Sequence, residues 1–164
     1  MSGPSDTPEP PADATVEPAT PADRLDVLRV LDAAMLETDA ATVDDRIAAG
    51  DAIVARSTRT DGVVGALVAV RPDPDRLHVD AVAVRPARRG RGIGSALVAA
   101  AVDRGASDPA IETVSARFDA DLRAFYEALG FRVRSEQAAR DSTVDPTDDA
   151  SDGNPTRLDG RVSV

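Results

Sequence analysis

The sequence predicts an α/β (α+β) domain in which a mixed, mostly antiparallel, twisted sheet of six to seven strands is flanked by about four helices. The chain has 164 residues, which is enough for one domain with a substantial core and too few for two. Short apolar runs bounded by Gly, Pro and Asp alternate with stretches of helical periodicity. Two of the runs end in turns with no helix after them, which predicts antiparallel neighbours in the first half of the sheet.

The first half of the chain is predicted to form a strand, two helices and an antiparallel meander. Helix one begins after a Thr20 cap, with Pro21 at its first position, and ends near Glu37. Helix two follows a Thr42 cap and stops at Gly50. The apolar face expected for helix one comprises Leu25, Leu28, Leu31 or Asp32, and Met35. The other elements expected here are helix two at 43–49 and strands at 52–57, 63–70 and 77–84.

The second half is predicted to contain a helix at 93–104, a strand at 111–118, a helix that opens at Asp119 or Asp121, and a strand at 131–135. The apolar stripe of the later helix comprises Leu122, Phe125, Tyr126 and Leu129. Residues 156–164 regain some alternation, which is compatible with a final strand or with a disordered C-terminus. Pro and acidic residues dominate 1–13 and 136–155, so we expect a disordered tail and a disordered loop there.

Composition excludes several classes of function. The chain has no cysteine, so a disulfide framework, a thiolate metal site and a cysteine nucleophile are excluded, and no metal is expected. Its formal net charge of −10 disfavours nucleic acid and anionic membranes as partners. With no basic apolar leader and no apolar run of membrane-spanning length, the expected location is cytoplasmic, as a monomer or homodimer.

The acidic charge has two interpretations. It favours cationic small molecules or peptides as ligands. It also suits a salt-accumulating cytoplasm, because all 19 basic residues are arginine and acidic residues number 29. We prefer the second interpretation, which points to a halophilic prokaryote and makes the net charge poor evidence about a substrate.

The most informative segment is a glycine- and arginine-rich loop between the 77–84 strand and the following helix. Glycines at a helix N-terminus let backbone N–H groups converge on phosphate oxygens, and guanidinium groups add charge. A P-loop is excluded because the chain has no lysine, and a dinucleotide fingerprint lacks its third glycine. The candidate phosphate-binding residues are Arg88, Arg89, Gly90, Arg91, Gly92, Ile93, Gly94 and Ser95.

Within this loop, Arg89, Gly92 and Gly94 resemble the acetyl-CoA signature Arg/Gln-x-x-Gly-x-Gly/Ala of the GNAT N-acetyltransferase family. Residues 15–23 look like the family's first strand and the start of its first helix. Residues 124–131, Ala-Phe-Tyr-Glu-Ala-Leu-Gly-Phe, are similar to its last helix and the strand that follows. The resemblance covers a domain at about 14–135, and the family's fold implies a final strand at 156–164 that pairs as a hairpin.

The resemblance implies roles for particular residues. The N–H groups of residues 89–95 would hold the coenzyme's pyrophosphate. The backbone of Val82, Ala83 and Val84 would bond the pantetheine arm, with an N–H near Val82 polarising the thioester carbonyl. Tyr126 matches the tyrosine that protonates the leaving thiolate. One departure is Asp119, which stands where many members have an asparagine that contacts the coenzyme.

The candidate general bases lie on the 77–84 strand. Side chains alternate along a strand, so His78, Asp80 and Val82 are expected on one face. His78 matches a position where the family often keeps a glutamate base, and its unperturbed pKa of about 6.5 suits the role. Asp80 is the second candidate. The alternative is that both are a solvated pair on an exposed face of the sheet.

These observations lead to an acyltransferase hypothesis: acetyl transfer from acetyl-CoA to a primary amine by direct attack, without a metal or a covalent intermediate. The amine belongs to a small molecule or a peptide, and no motif identifies it. The alternative is a CoA-binding module without turnover that acts as a sensor or interaction domain. A nucleic-acid module is excluded by the charge and by an aromatic content of 2%.

Overall fold

The computed structural model describes residues 13–34, 36, 38–135 and 157–164. The strands are β1 (Ala14–Pro18), β2 (Ala52–Ser57), β3 (Val63–Asp73), β4 (Arg76–Val84), β5 (Thr113–Asp119), β6 (Arg132–Ser135) and β7 (Arg157–Ser163). The α-helices of the described residues are α1 (Arg24–Ala33), α2 (Ala40–Ala49), α3 (Ile93–Ser107) and α4 (Arg123–Ala128). The strands form one sheet in the order β1-β2-β3-β4-β5-β7-β6, and only the β4–β5 pair is parallel. The predicted fold class is confirmed.

Hydrophobic layers cover both faces of the sheet. On one face, here called the α3 face, α3 and α4 pack on the strands through residues such as Leu97, Leu77 and Phe118. On the other, the α1 face, Val27, Val43 and their neighbours on α1 and α2 cover β2, β3 and the end of β4. The α1 face of β5, β7 and β6 receives no helix from the described residues. None of the helices in this part of the chain is long and apolar enough to span a bilayer.

Helix one differs from its predicted form. A 3₁₀ turn occupies residues 21–23 and α1 ends at Ala33, whereas the predicted end at Glu37 lies outside the described residues. Leu25 was expected in the core but is 58% exposed. Val27 and Val30 are buried instead, Leu31 is buried as predicted, and Met35 lies outside the described residues.

Other boundaries shift by a few residues. The second helix begins at Ala40 rather than at Val43, and α3 continues to Ser107. The last helix opens as a 3₁₀ turn at 120–122, which leaves Leu122 44% exposed although it was expected on the apolar stripe. Residues 156–164 contain β7, which lies between β5 and β6. The predicted tail and acidic loop lie outside the described residues, except for Asp13.

The two parallel strands at the centre of the sheet separate along their length. β4 pairs with β5 only from Arg76 to Val79, opposite Thr113 to Ala116. β4 then continues to Val84, and β5 continues to Asp119. Beyond Val79, no described strand pairs with the β5-facing edge of β4, so a wedge-shaped gap opens between the carboxyl ends of the two strands.

A bulge in β4 corrects the predicted side-chain alternation. Val79 pairs with Ala69 and Ala81 pairs with Val68, so Asp80 is an extra residue in this strand. His78 therefore shares the α1 face with Ala81, while Val82 packs on the α3 face. The prediction that His78, Asp80 and Val82 lie on one face is wrong, because a bulge shifts the two-residue period by one.

A buried carboxylate, that of Asp51, lies immediately before β2 and pairs with arginines from other parts of the chain. The Asp51 side chain is fully buried and accepts hydrogen bonds from Arg71 Nε at 2.9 Å and Arg104 Nε at 3.3 Å, with Arg46 Nη1 at 3.6 Å. We expect Asp51→Ala to lower the free energy of unfolding by about 3–5 kcal/mol, because it leaves several half-buried cations without their shared partner. Chemical denaturation followed by circular dichroism measures this change.

The matched control is Asp44→Ala. Asp44 pairs with Arg24, and the two side chains are 48% and 40% exposed, so the loss should be about 1 kcal/mol or less. Equal effects of the two substitutions would contradict a structural role for the Asp51 cluster.

Candidate active site

The loop before α3 presents free backbone N–H groups. The first bond of the helix joins the Ala96 N–H to the Gly92 carbonyl at 3.0 Å, so the N–H groups of Ile93, Gly94 and Ser95 have no acceptor within the helix. Gly92 precedes the helix with φ of 86°, a left-handed conformation that favours glycine. Unpaired N–H groups and the positive end of the helix dipole together form an anion-binding site.

This site is open to a bulky ligand. A Cβ atom built on Gly90 or Gly92 meets no heavy atom of its surroundings within 4 Å. A Cβ on Gly94 lies 3.9 Å from Val84 Cγ2 and from Phe125 Cζ, which is ordinary van der Waals contact. The N-terminus of α3 therefore lies directly beside the end of β4 and the side chain of Phe125.

The three arginines of the loop have different surroundings. Arg88 is half-buried and lies with Nη1 3.3 Å from the Asp13 carboxylate and Nη2 3.4 Å from Ser57 Oγ. Arg91 approaches the same carboxylate at 3.5 Å, and its side chain is 55% exposed. Arg89 donates from Nε to the Val84 carbonyl at 3.1 Å. Arg88 therefore anchors the loop, whereas Arg89 and Arg91 lie at the surface.

The unpaired edge of β4 offers backbone groups to a ligand. The Arg85 N–H donates to the Val64 carbonyl on β3 at 2.8 Å, and backbone groups of successive residues point to alternate sides of a strand. The N–H and C=O groups of Val84 and Val82 therefore point away from β3 and into the gap. The bond from Arg89 to the Val84 carbonyl agrees with this direction. Ala83 faces the other way, towards β3, so only its neighbours can bond a ligand in the gap.

Tyr126 lies on the α3 face, beside the gap. Its ring stacks on Phe118 of β5 with centroids 4.0 Å apart, and Phe125 and Phe131 make edge contacts with it. Burial raises the pKa of the Tyr126 hydroxyl to about 12, so the group stays protonated at neutral pH. The hydroxyl is therefore held as a hydrogen-bond donor.

His78 lies on the α1 face, where the paired part of β4 ends. Its Nδ1 is 2.8 Å from the hydroxyl of Ser115, a fully buried residue of β5. Burial and the nearby Arg76 guanidinium lower the pKa of His78, and the opposing effects of Asp80 and Asp159 are smaller. When Nδ1–H donates to Ser115, Nε2 is left to accept a proton.

The remaining candidates lie at the rim of the gap. Asp80 is the exposed residue of the bulge, next to the point where β4 leaves β5. Asp119 is the last residue of β5 and is half-buried at the start of the 3₁₀ turn that leads to α4. The described residues contain no group of three or more His, Cys, Asp or Glu that could hold a metal ion.

A groove of about 1010 Å³ lies on the α1 face of the sheet, next to His78. The charged side chains of this groove could not be identified from the sequence, because they come from four strands that are neighbours in the sheet but do not follow one another in the same order along the chain. Alternation of arginine along 132–134 and the Asp159–Arg161 pair are the signals present in the sequence. The charged and titratable groups of the groove are Arg76, His78, Arg117, Arg132, Arg134, Asp159 and Arg161.

Tyr126 and His78 therefore face opposite sides of the sheet at the same gap. A ligand in the gap can be contacted from the α3 face by Tyr126 and from the α1 face by His78. The groove reaches the gap from the side of His78. The arrangement places a proton donor and a proton acceptor on opposite sides of the gap.

Comparisons with known proteins agree with this geometry. A family model described as an acetyltransferase (GNAT) domain matches residues 48–133, which include the loop, the gap and Tyr126. Comparison with curated proteins gives no match.

Solved structures share the fold. Ard1 from Thermoplasma volcanium is 19% identical with a TM-score of 0.68, and the alignment covers 93% of this chain and 99% of that one. Naa50 of Arabidopsis thaliana, in complex with a bisubstrate analogue CoA-Ac-MVNAL, is 16% identical with a TM-score of 0.69 and coverages of 93% and 100%. The yncA protein of Salmonella typhimurium, solved with its cofactor acetyl-CoA, is 18% identical with a TM-score of 0.64 and coverages of 93% and 94%.

Proposed function

Because this chain belongs to the GNAT acetyltransferase domain family, we propose that it transfers the acetyl group of acetyl-CoA to a primary amine by direct attack. One observation supports the proposal most directly: three features lie next to one another. They are the free N–H groups of α3, the unpaired edge of β4 and the Tyr126 side chain. Together they form a path for a phosphate, then an amide-bearing arm, then a sulfur.

The loop and β4 bind the coenzyme in this proposal. The N–H groups of Ile93, Gly94 and Ser95 hold the pyrophosphate, and Arg89 or Arg91 adds charge from the surface. Val84 and Val82 direct their backbone groups at the amides of the pantetheine arm. The Val82 N–H is also the donor best placed to polarise the thioester carbonyl and stabilise the oxyanion.

The chemistry breaks one bond and forms another. The amine nitrogen attacks the thioester carbon, the new C–N bond forms, and the C–S bond breaks. His78 Nε2 accepts the proton that the amine loses. Tyr126 donates a hydrogen bond, and then its proton, to the departing thiolate. Asp80 is the second candidate for the base, through water, because it lies at the rim of the gap.

The direct test measures CoA release from acetyl-CoA with a panel of amines. The chain has no cysteine, so a thiol reagent reports only released CoA. Acetyl-CoA should also raise the Tm, because a ligand that binds only the folded state stabilises it. A raised Tm without CoA release from any amine would favour the alternative of a CoA-binding module without turnover. Absence of both effects would refute CoA binding.

We expect His78→Gln to change the pH profile of kcat/KM. The lowered pKa of His78 keeps the imidazole neutral at pH 7, so the wild-type rate should fall only as the pH drops below about 6.5 and the ring becomes protonated. The variant should lose this acidic limb and about 10²- to 10⁴-fold in rate at pH 7. Initial rates between pH 5 and 9 measure both changes.

The control is Asp80→Asn, which removes the other candidate base. If the acidic limb persists in His78→Gln and disappears in Asp80→Asn, then Asp80 is the base. A limb that persists in both variants would contradict a role for either side chain as the base.

A further inference from the structure

The groove beside His78 has a charge opposite to that of the protein. Acidic residues outnumber basic ones in the whole chain, 29 to 19. The described lining of the groove reverses this ratio, with five arginines and one aspartate. A basic concavity in an acidic protein concentrates anions locally, whatever the net charge is.

Two of these arginines lie in one row with His78. The strand register places His78 opposite Ser115, Ser115 opposite Arg161, and Arg161 opposite Arg132. Neighbouring strands are about 4.8 Å apart, so the backbones of Arg161 and Arg132 lie about 10 and 14 Å from that of His78. Arginine side chains are long enough to cover much of this distance. The row therefore has a proton acceptor at one end and guanidinium groups at the other.

The close spacing of these arginines destabilises the folded protein. Arg132 and Arg161 are direct cross-strand neighbours, and like charges in that position are destabilising. Among the described lining residues the one carboxylate is Asp159, which lies opposite Arg134 and is 3.2 Å from Arg161 Nε. Several guanidinium groups therefore share this one described acid, and the described lining has more basic than acidic side chains.

A second observation also points to a ligand. Arg76 lines the same groove, and its Nε is buried without a hydrogen-bond partner among the described residues. Its Nη2 does pair with Asp73 at 3.1 Å, so the guanidinium is held in place while one donor is unsatisfied. Buried donors without an acceptor are rare, and the Arg76 side chain as a whole is 25% exposed where it lines the groove.

We propose that the acceptor amine carries an anionic group, a carboxylate or a phosphate, which the groove arginines bind while His78 takes the proton of the amine. This rests on the proposed acetyl transfer and specifies its substrate class. The anion is held by Arg161 and Arg132, and the amine lies at the gap a few bonds away. Small amino acids and phosphorylated amines fit this description, whereas polyamines do not.

Matched amine pairs test the substrate class. Aspartate is compared with its uncharged diamide, and phosphoethanolamine with ethanolamine, so that one member of each pair lacks every anionic group; agmatine represents cationic amines. We expect kcat/KM to be at least about tenfold higher for the anionic member of one pair, and the pair that responds identifies the group as carboxylate or phosphate. KM for that amine should rise with ionic strength.

Arginine variants test the binding residues. Arg132→Gln and Arg161→Gln should each raise KM for the best anionic amine by roughly 10- to 100-fold, with KM for acetyl-CoA unchanged. Each should change the Tm little, because it removes one member of a like-charge pair, and the ion pair with Asp159 that Arg161→Gln also removes involves an Arg161 side chain that is 59% exposed. The control is Arg29→Gln on α1, whose side chain is 71% exposed and away from the groove, and it should alter neither KM.

The outcomes separate this inference from the proposed function. CoA release that is as fast with agmatine as with the anionic amines, or an unchanged KM in both groove variants, would overturn the anionic class while leaving an acetyltransferase. If no amine releases CoA, the proposed function fails. A rise in Tm with aspartate or phosphoethanolamine that Arg132→Gln abolishes would still show that the groove binds anions, and no rise would reject the groove as well.

Discussion

Gly94→Glu should lower the affinity for acetyl-CoA by roughly 100-fold or more, since it replaces one α-hydrogen of the glycine at the α3 N-terminus with a side chain that carries a carboxylate. The side chain would start 3.9 Å from Val84 and Phe125, beside the path that we propose for the pantetheine arm. Its charge would repel the pyrophosphate and compete for the free N–H groups of Ile93, Gly94 and Ser95. Isothermal titration calorimetry measures the dissociation constant directly.

Gly94→Ala is the matched control for this substitution. Gly94 has an ordinary helical conformation, and an added Cβ has room for van der Waals contact, so Gly94→Ala should fold normally and keep its affinity. The same position is preferable to Gly92, where a positive φ would strain any other residue and confuse binding with folding. Unchanged affinity in Gly94→Glu would remove the phosphate-binding assignment of the loop.

The position of the glycine- and arginine-rich loop between a strand and a helix was predictable because its signal is local. Glycine spacing, the absence of lysine and the change from strand to helix all lie within about ten residues. The fold class was predictable for a similar reason, since each strand and helix has its own periodicity. The face of α1 was not, because leucines at positions 25 and 28 match the helical period as well as the valines that are buried.

Two features of the site depend on pairing between distant segments. The bulge at Asp80 appears only when β4 is aligned with β3, and it reverses which side chains share a face with His78. The arginine groove depends on β7 inserting between β5 and β6, which brings Arg161 opposite Arg132 from 29 positions along the chain. Periodicity within one sequence does not show how distant strands align. The groove, and the substrate class that we propose from it, could therefore not be predicted.

Tyr126→Phe should lower kcat by about 10²- to 10⁴-fold and leave the affinity for acetyl-CoA nearly unchanged. The stacking on Phe118 and the edge contacts with Phe125 and Phe131 involve the ring alone, so the variant keeps its packing and should keep its Tm. With a pKa of about 12, the hydroxyl stays protonated from pH 6 to 10, so it should contribute no basic limb to the wild-type profile in that range. Steady-state kinetics measure kcat, and calorimetry measures affinity.

Phe131→Leu is the control for a purely structural role of this aromatic cluster. It removes a ring whose centroid lies 5.3 Å from that of Tyr126, and it leaves the hydroxyl in place. Because Phe131 is buried, we expect a lower Tm with kcat within a few-fold of wild type. The opposite pattern, full activity in Tyr126→Phe with loss of activity in Phe131→Leu, would make Tyr126 a core residue. Proton donation to the thiolate would then have to come from water in the gap between β4 and β5.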